Sequence, residues 1–328
     1  MATPILKFQN LKKGFGRKTV LDNISLEINQ GEIFGVIGMS GSGKTTLLNT
    51  LIGYYEPEKG DVLFYSKKDK HYKSIFKSML EARNIFGFAP QFPSFYPKLT
   101  VMENLAHFGS LYHLSKETIQ NNIDHLITLT ELVDDRNELA QNLSGGMQKR
   151  LSIACSLIHK PDILILDEPT ADLDPVLRKE TWRLLKGIHR LGTTIIIASH
   201  LLSELEENCD RVSILHNSKL VKTGTICQLK DSFTKDKEIH LATSLEKYDK
   251  ISRELSKLSS LSIKKIQLQG RKLTIRTSKP EETLNHLLKI TKKTNESIIY
   301  LDVEKPTLEE VFESISQSKQ KEIRLKGG

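Results

Sequence analysis

Alternating apolar and polar residues characterise the start of the chain. The segments ILKFQNL and ISLEI, within residues 5–37, alternate as half-buried strands do. The segment IFGVIG, after the turn NQGE, is continuously apolar, which is typical of a fully buried strand. The pattern therefore predicts a sheet that begins near the N-terminus.

A helical period replaces this alternation over residues 101–160. Apolar residues recur at helical spacing in VMENLAHFGSLYHL, TIQNNIDHLITLTEL and KRLSIACSLI. Strands return in DILILDEP, TTIIIASH and RVSILHN, separated by the helical stretches PVLRKETWRLLKGIHRL and LLSELEENC. Because strand and helix alternate in this way around a mostly parallel sheet, we predict an α/β domain with a helical insert at about 98–160.

A different pattern follows the polar joint SFTKDKE, at about residue 230. Its order, βαββαβ and one more helix, is that of a ferredoxin-like split βαβ unit. We therefore predict a domain at 1–230 and a small α+β domain at 237–328. The predicted elements of the second domain are strands at 237–243, 262–269, 271–278 and 297–304 and helices at 245–258, 281–293 and 307–317.

Composition fits a globular protein without a membrane span. The 328 residues are 38% apolar and 27% charged, and no apolar run approaches the roughly 18–20 residues that a span needs. The start, MATPILKFQNLKKGF, lacks the apolar core of a secretory signal, so we expect a cytosolic protein. The cysteines Cys155, Cys209 and Cys227 match no metal-binding spacing, which favours reduced thiols.

The net charge of +8 is concentrated in the second half of the chain. Residues 251–293 contain eleven Lys and Arg against three Asp and Glu. Such a face can lie near anionic lipid headgroups or nucleic acid, although a solvated basic surface is the commonest explanation.

A phosphate-binding loop follows the buried strand IFGVIG. The segment GMSGSGKTT, residues 38–46, matches G-x-x-x-x-G-K-[ST] and leads into the helical TLLNTLIG. Glycines allow the backbone N–H groups of such a loop to surround phosphate oxygens at a helix N-terminus. In this motif Lys44 reaches the β- and γ-phosphates and Thr45 binds Mg²⁺. The nucleotide-binding residues predicted here are Gly38, Ser40, Gly41, Gly43, Lys44, Thr45 and Thr46.

A pair of carboxylates ends the apolar strand ILILDEP. Asp167 and Glu168 would lie at the C-terminal edge of the sheet, where open α/β folds bind their ligands. One carboxylate can hold Mg²⁺ and the next can accept a proton from an attacking water. We predict Asp167 as a metal ligand and Glu168 as the catalytic base.

The segment LSGG, residues 143–146, lies about 100 residues beyond the phosphate loop. Together with that loop and the Asp-Glu strand, it makes residues 5–230 resemble the ATP-binding cassette ATPases of membrane transporters. In that family the LSGGQ-type segment of one subunit caps the ATP held by the phosphate loop of another. The resemblance implies ATP hydrolysis, with Ser144, Gly145 and Gly146 forming a second anion cradle that closes only in a head-to-tail dimer.

The resemblance also assigns roles to single positions. Gln91, in GFAPQFPSF, falls where a glutamine senses the γ-phosphate and Mg²⁺, and His200, in IIIASH, where a histidine contacts the γ-phosphate. Asp174, in ADLDP, falls where a loop crosses the dimer interface, and Phe15 where an aromatic ring stacks on adenine. The implied catalytic residues are Glu168, His200, Gln91 and Lys44.

The sequence departs from the family pattern at two places. Met147 replaces the usual glutamine after LSGG, with Gln148 next, and Phe15 replaces the usual tyrosine. Neither change removes a phosphate ligand. Since Glu168, His200 and the Ser-Gly-Gly are all present, the chain could pair with itself or with a related cassette.

The segment KPTLEEVFESIS, residues 305–316, resembles the C-terminal region of cassettes that serve ABC-2 type exporters, although its apolar spacing also fits simple helix packing. The resemblance implies a separate integral-membrane permease and a peripheral location at the cytoplasmic face of the membrane, whose surface the basic segment could contact. No nucleic-acid partner is expected.

Two other functions remain open from the sequence. The basic second half keeps a soluble cassette ATPase that acts on nucleic acid or ribosomes as the alternative, although relatives of that kind carry a long coiled coil or two cassettes. A regulator without turnover is disfavoured, because it would be expected to lack Glu168 or His200 and this chain has both. Import is disfavoured relative to export, because importer cassettes more often carry a C-terminal β-barrel.

Overall fold

The structure, a computed structural model, describes residues 3–233, 236–304 and 307–312. They divide into two compact units, one ending at Thr225 and the other beginning at Ile226. The division lies a few residues before the joint expected at about 230. Within the described ranges, no helix is long and apolar enough to cross a membrane.

The first unit contains ten strands and seven α-helices among its described residues. They are β1 (Pro4–Phe15), β2 (Lys18–Asn29), β3 (Ile33–Ile37), α1 (Lys44–Leu51), β4 (Lys59–Ser66), β5 (His71–Ser74), α2 (Met79–Ile85), β6 (Phe86–Ala89), α3 (Val101–Leu111), α4 (Lys116–Leu129), α5 (Gly145–Leu157), β7 (Ile163–Asp167), α6 (Pro175–Arg190), β8 (Thr194–Ser199), α7 (Leu202–Asn208), β9 (Arg211–His216) and β10 (Lys219–Thr225).

A six-stranded sheet with the order β10-β9-β3-β8-β7-β6 lies at the centre of this unit. Its strands are parallel except for the edge strand β10, which pairs antiparallel with β9. Every residue of β3 and β7 is buried, as the apolar runs predict. The mostly parallel sheet of the α/β prediction is therefore confirmed, and the carboxyl ends of β3, β8, β7 and β6 meet at one edge.

A second, antiparallel sheet with the order β2-β1-β4-β5 shares the core of the first. The expected helical insert comprises α3, α4 and α5. Thr100 caps α3 by accepting a hydrogen bond from the N–H of Glu103, whose carboxylate accepts one from the N–H of Thr100. Such a reciprocal capping box fixes the start of a helix because it satisfies two otherwise free backbone donors.

The second unit has the expected βαββαβ order. Its strands are β11 (Lys237–Thr243), β12 (Ile263–Gln269), β13 (Lys272–Thr277) and β14 (Ile298–Glu304). They form a sheet that is antiparallel throughout and has the order β12-β13-β11-β14, which is the strand order of a ferredoxin-like unit. Residues 308–312 are helical, and the rest of the predicted helix at 307–317 lies outside the described residues. The α-helices of this unit are α8 (Ile226–Phe233), α9 (Tyr248–Ser256) and α10 (Pro280–Lys293).

Candidate functional site

Four neighbouring strands deliver polar residues to the same edge of the central sheet. The phosphate loop follows β3, Gln91 follows β6, Asp167 and Glu168 lie at the end of β7, and His200 follows β8. A cavity of about 510 Å³ opens there and is defined here as the phosphate cavity. It is lined by Phe15, Val20, Ser40, Gly41, Gly43, Lys44, Thr45, Thr46, Gln91, Glu168 and His200.

The backbone of the phosphate loop adopts conformations that favour glycine. Gly41 has a φ of 76° and Gly43 a φ of 107°, and Gly43 is the N-cap of α1. At Gly38 a Cβ atom would come within 2.8 Å of the carbonyl oxygen of Leu215, so a side chain there would collide with backbone. The loop therefore turns tightly onto the N-terminus of α1, where backbone N–H groups can bind an anion.

Three side chains form a charged network in this cavity. Lys44 is buried, and its Nζ lies 3.3 Å from Glu168 Oε1 and donates to the carbonyl oxygen of Gly38 at 2.8 Å. Glu168 Oε2 lies 2.9 Å from Nδ1 of His200. Glu168 itself has a φ of 50°, a left-handed conformation that is unusual for a residue with a side chain. Its carboxylate is thus held between a cation and an imidazole.

Asp167 lies beneath this network and is only 2% exposed. Burial, reinforced by the neighbouring Glu168, raises the pKa of Asp167, while a hydrogen bond from Thr45 and the charge of Lys44 act in the opposite direction. Its Oδ1 atom is buried without a hydrogen-bond partner. A carboxylate oxygen beside a threonine hydroxyl is the donor set that Mg²⁺ prefers, so these residues fit a magnesium ion.

An aromatic cluster borders the phosphate cavity at Phe15. Phe15 is 45% exposed and meets Tyr55 edge to face, with ring centroids 5.1 Å apart. Tyr54 stands beside Tyr55 at 4.9 Å and is also exposed. Of these three rings, only Phe15 was predicted from the sequence to stack on adenine. The two tyrosines could have been noticed as an aromatic pair just after α1.

The LSGG segment lies at a different place in the unit. Ser144 is the N-cap of α5 and accepts a hydrogen bond from the N–H of Met147 at 3.4 Å. Gly145 is exposed, and a Cβ atom added there would meet nothing within 4 Å. Ser144, Gly145 and Gly146 do not line the phosphate cavity. The structure therefore does not bring the two predicted cradles together within one chain.

Asp174 is also absent from the cavity lining. It is the N-cap of α6, accepting hydrogen bonds from the N–H groups of Val176 and Leu177 at 2.8 and 3.0 Å, with Pro175 in the first turn. This capping is a structural role that was not predicted from the sequence.

Lys149, a buried lysine of α5, was not predicted as a site residue. Its Nζ donates to the carbonyl oxygen of Gln91 at 2.9 Å. Burial lowers the pKa of Lys149, whereas the charges of Asp167, Asp172 and Glu168 act to raise it. The missed signal was a lysine facing the core on a helix that is otherwise buried along much of its length.

A family model and two curated proteins match this chain, and both proteins are named as ATP-binding proteins. The family model described as "ABC transporter" matches residues 21–171. The chain is 29% identical over 310 residues to the linearmycin resistance ATP-binding protein LnrL of Bacillus subtilis, covering 94% of this chain and 97% of that protein. It is 35% identical over 223 residues to the Nod factor export ATP-binding protein I of Ralstonia nicotianae, covering 68% of each.

A solved structure provides a match at the level of the fold. It is a dimeric ATP-binding cassette in a post-hydrolysis state, bound to ADP and phosphate. The TM-score is 0.59 at 26% identity, and the match covers 67% of this chain and 98% of the cassette.

Proposed function

This chain belongs to the ABC transporter family and is an ATP hydrolase, and we propose that two copies of it close around two ATP molecules to drive export through a separate membrane subunit. In this arrangement the phosphate cavity of one copy holds a nucleotide that the LSGG segment of the other copy caps. The Lys44–Glu168–His200 network carries the proposal for hydrolysis.

The network gives each member a role in that reaction. Both carboxylate oxygens of Glu168 have a partner, Lys44 at 3.3 Å and His200 at 2.9 Å. A triphosphate offers Lys44 and His200 stronger acceptors, so both turn toward its γ-phosphate and leave Glu168 to accept a proton from the attacking water. The water oxygen then bonds to the γ-phosphorus as the bond to the bridging oxygen breaks, which yields ADP and phosphate.

Thr45, Asp167 and Gln91 are the proposed ligands of Mg²⁺. Bound there, the ion would neutralise negative charge on the phosphate oxygens during transfer. The unpaired Oδ1 atom of Asp167 supports this assignment, because a buried carboxylate oxygen without a partner is costly unless a cation occupies it.

The two-copy arrangement is supported by the separation of the two cradles. Ser144, Gly145 and Gly146 begin α5, where N–H groups and the helix dipole favour an anion. Since they do not line the cavity of their own chain, they are available to the nucleotide of another. Asp174, which caps α6 on the loop after Glu168, would lie at the same interface.

Transport through a partner is supported by the relatives, one named for Nod factor export and one for linearmycin resistance. We propose that the helical part at about 98–160 binds a permease subunit at the cytoplasmic face of the membrane and that closure of the dimer moves it. The second unit would be an accessory domain, with its basic segment at 251–293 toward anionic headgroups.

A pull-down from detergent-solubilised native membranes tests the proposal. The Glu168→Gln variant with ATP and Mg²⁺ should remain in the closed dimer and retain a polytopic membrane protein. Lys44→Ala, which removes the phosphate-binding ammonium, is the control and should not dimerise with ATP. Recovery of ribosomes or nucleic acid without a membrane protein would refute export and favour the alternative that the basic segment suggests.

A further inference from the structure

One face of α5 is hydrogen-bonded to the backbone of the segment that contains Gln91. Lys149 is 8% exposed and donates from Nζ to the carbonyl oxygen of Gln91 at 2.9 Å. Ser152 is 1% exposed, and its Oγ accepts from the N–H of Ser94 at 3.2 Å. Residues three apart lie on one helix face, so both bonds fasten the same surface of α5 to residues 91–94.

The adjacent Arg150 contacts residues outside the segment that contains Gln91. Its guanidinium forms ion pairs with Glu131 and Glu180, each at 2.7 Å, and so holds α5 to its surroundings. Lys149 has no ion pair of this kind among the described residues, and its hydrogen-bond acceptor is a neutral carbonyl oxygen. Arg150 is already a firm anchor for α5. The buried ammonium of Lys149 is therefore better explained by a role in positioning the Gln91 backbone than by anchoring the helix.

The two ends of this contact belong to different nucleotide sites in the proposed dimer. Gln91 lines the phosphate cavity of its own chain. Ser144 caps the start of α5, five residues before Lys149, and would face the nucleotide of the other copy. We propose that Lys149 and Ser152 form a clamp that transmits γ-phosphate contact at Gln91 to the LSGG cradle, and thereby couples the two ATP sites. This inference rests on the proposed two-copy site. Lys149 and Ser152 are positioning residues, because they act through Gln91 and the LSGG segment.

ATP hydrolysis by the purified full-length chain, measured against ATP concentration, tests the clamp. We expect Lys149→Met to lower the Hill coefficient from near 2 toward 1 and kcat by about tenfold, because coupling between sites is lost. ADP affinity, which depends on the phosphate loop, should change less than about twofold. Lys149→Arg retains a donor and should recover most of the coupling, and Ser152→Ala should give a smaller loss in the same direction.

Lys186→Met makes the same chemical change at an exposed lysine of α6 and should leave every parameter unchanged. Normal kcat and cooperativity in both Lys149→Met and Ser152→Ala would refute the clamp. A loss of ADP affinity with cooperativity intact would also refute it, since that pattern indicates a local effect on the cavity. If Lys149→Met does not fold, Ser152→Ala and Lys149→Arg decide the question. Failure of the unmodified chain to dimerise with ATP would instead count against the two-copy site itself.

Discussion

The phosphate cavity and the start of α5 are both suited to phosphate, but they are built differently. In the cavity, Lys44, Glu168 and Asp167 are buried, and four strand ends converge on a recess of about 510 Å³. At the start of α5, Ser144 and Gly145 are exposed, and a side chain at Gly145 would have open space around it. The phosphate cavity can enclose a phosphate group, whereas the start of α5 offers it contacts on one side alone.

This difference separates binding from catalysis. A recess with a cation and a glycine-rich loop can bind nucleotide alone, whereas a lone helix N-terminus contributes only when a second surface brings phosphate to it. Substitutions in the cavity should therefore impair binding and hydrolysis together. Substitutions at the start of α5 should impair hydrolysis and leave binding by the single chain intact.

Lys44→Ala should have the largest effect. Loss of the ammonium removes its contact with phosphate and leaves the buried Glu168 without its cationic partner. We expect ATP hydrolysis to fall about 1,000-fold, with a large loss of nucleotide affinity. Phosphate release and calorimetric titration with ADP check both effects, and Lys186→Ala serves as the control. Normal ADP binding by Lys44→Ala would contradict the role of the cavity.

Gly145→Asp should reduce hydrolysis by about 100-fold through repulsion between its carboxylate and phosphate. The fold should tolerate it, because the position is open and an acidic residue suits a helix N-terminus. ADP binding should match the unmodified chain, and Gly145→Ala should have a much smaller effect. If Gly145→Asp weakened ADP binding as strongly as hydrolysis, the two regions would not be separable.

His159 follows the C-terminal end of α5. Its ring stacks on Tyr112 with ring centroids 3.6 Å apart, and its Nε2 hydrogen-bonds to the carbonyl oxygen of Phe86. Burial lowers the pKa of His159 from 6.5 to about 4. The unfolded chain therefore binds a proton below pH 6.5 that the folded chain does not bind until about pH 4, so stability falls as the pH drops through this window.

His159→Phe removes this titration and keeps a flat ring against Tyr112. Between pH 7 and 5 it should lose about 2 kcal/mol less free energy of unfolding than the unmodified chain. Urea denaturation at both pH values measures the difference. His125→Gln, at an exposed histidine of α4, is the control. An identical pH dependence in His159→Phe and the unmodified chain would contradict the assignment.

Phe15→Ala should have the smallest effect. The exposed ring offers a stacking surface for adenine, and its removal should weaken ATP binding about tenfold. Phe15→Tyr retains the ring and should bind nearly normally. Fluorescence titration with a labelled ATP analogue measures both. Unchanged affinity in Phe15→Ala would transfer the stacking role to the neighbouring Tyr54 or Tyr55.

The sequence predicted the elements and residues whose identity follows from local pattern. Apolar runs predicted β3 and β7, and the glycine and Lys-Thr spacing predicted the loop after β3. Every strand of the second unit lies within one residue of its predicted bounds. The strand β11, for example, has the bounds predicted for it, Lys237–Thr243.

Features that depend on tertiary contacts were not predicted. No helix or strand was predicted for residues 59–74, where β4 and β5 form. The four residues of β5 are polar and become a strand only because β4 pairs with them, as Leu63 does with Ser74. Likewise, the contact of Lys149 with the Gln91 backbone joins segments 58 residues apart, which periodicity cannot reveal.

Mixing two inactive variants tests the two-copy site most directly. Lys44→Ala lacks a working phosphate cavity and Gly145→Asp lacks a working LSGG cradle, so a mixed dimer contains one site in which both halves are intact. Each variant alone should hydrolyse almost no ATP. An equal mixture should recover activity up to about a quarter of the unmodified rate, because half of the randomly paired dimers carry one of two sites and coupling to the inactive site lowers the rate further. Absence of recovery, with mixed dimers shown to form, would contradict a site shared between two chains.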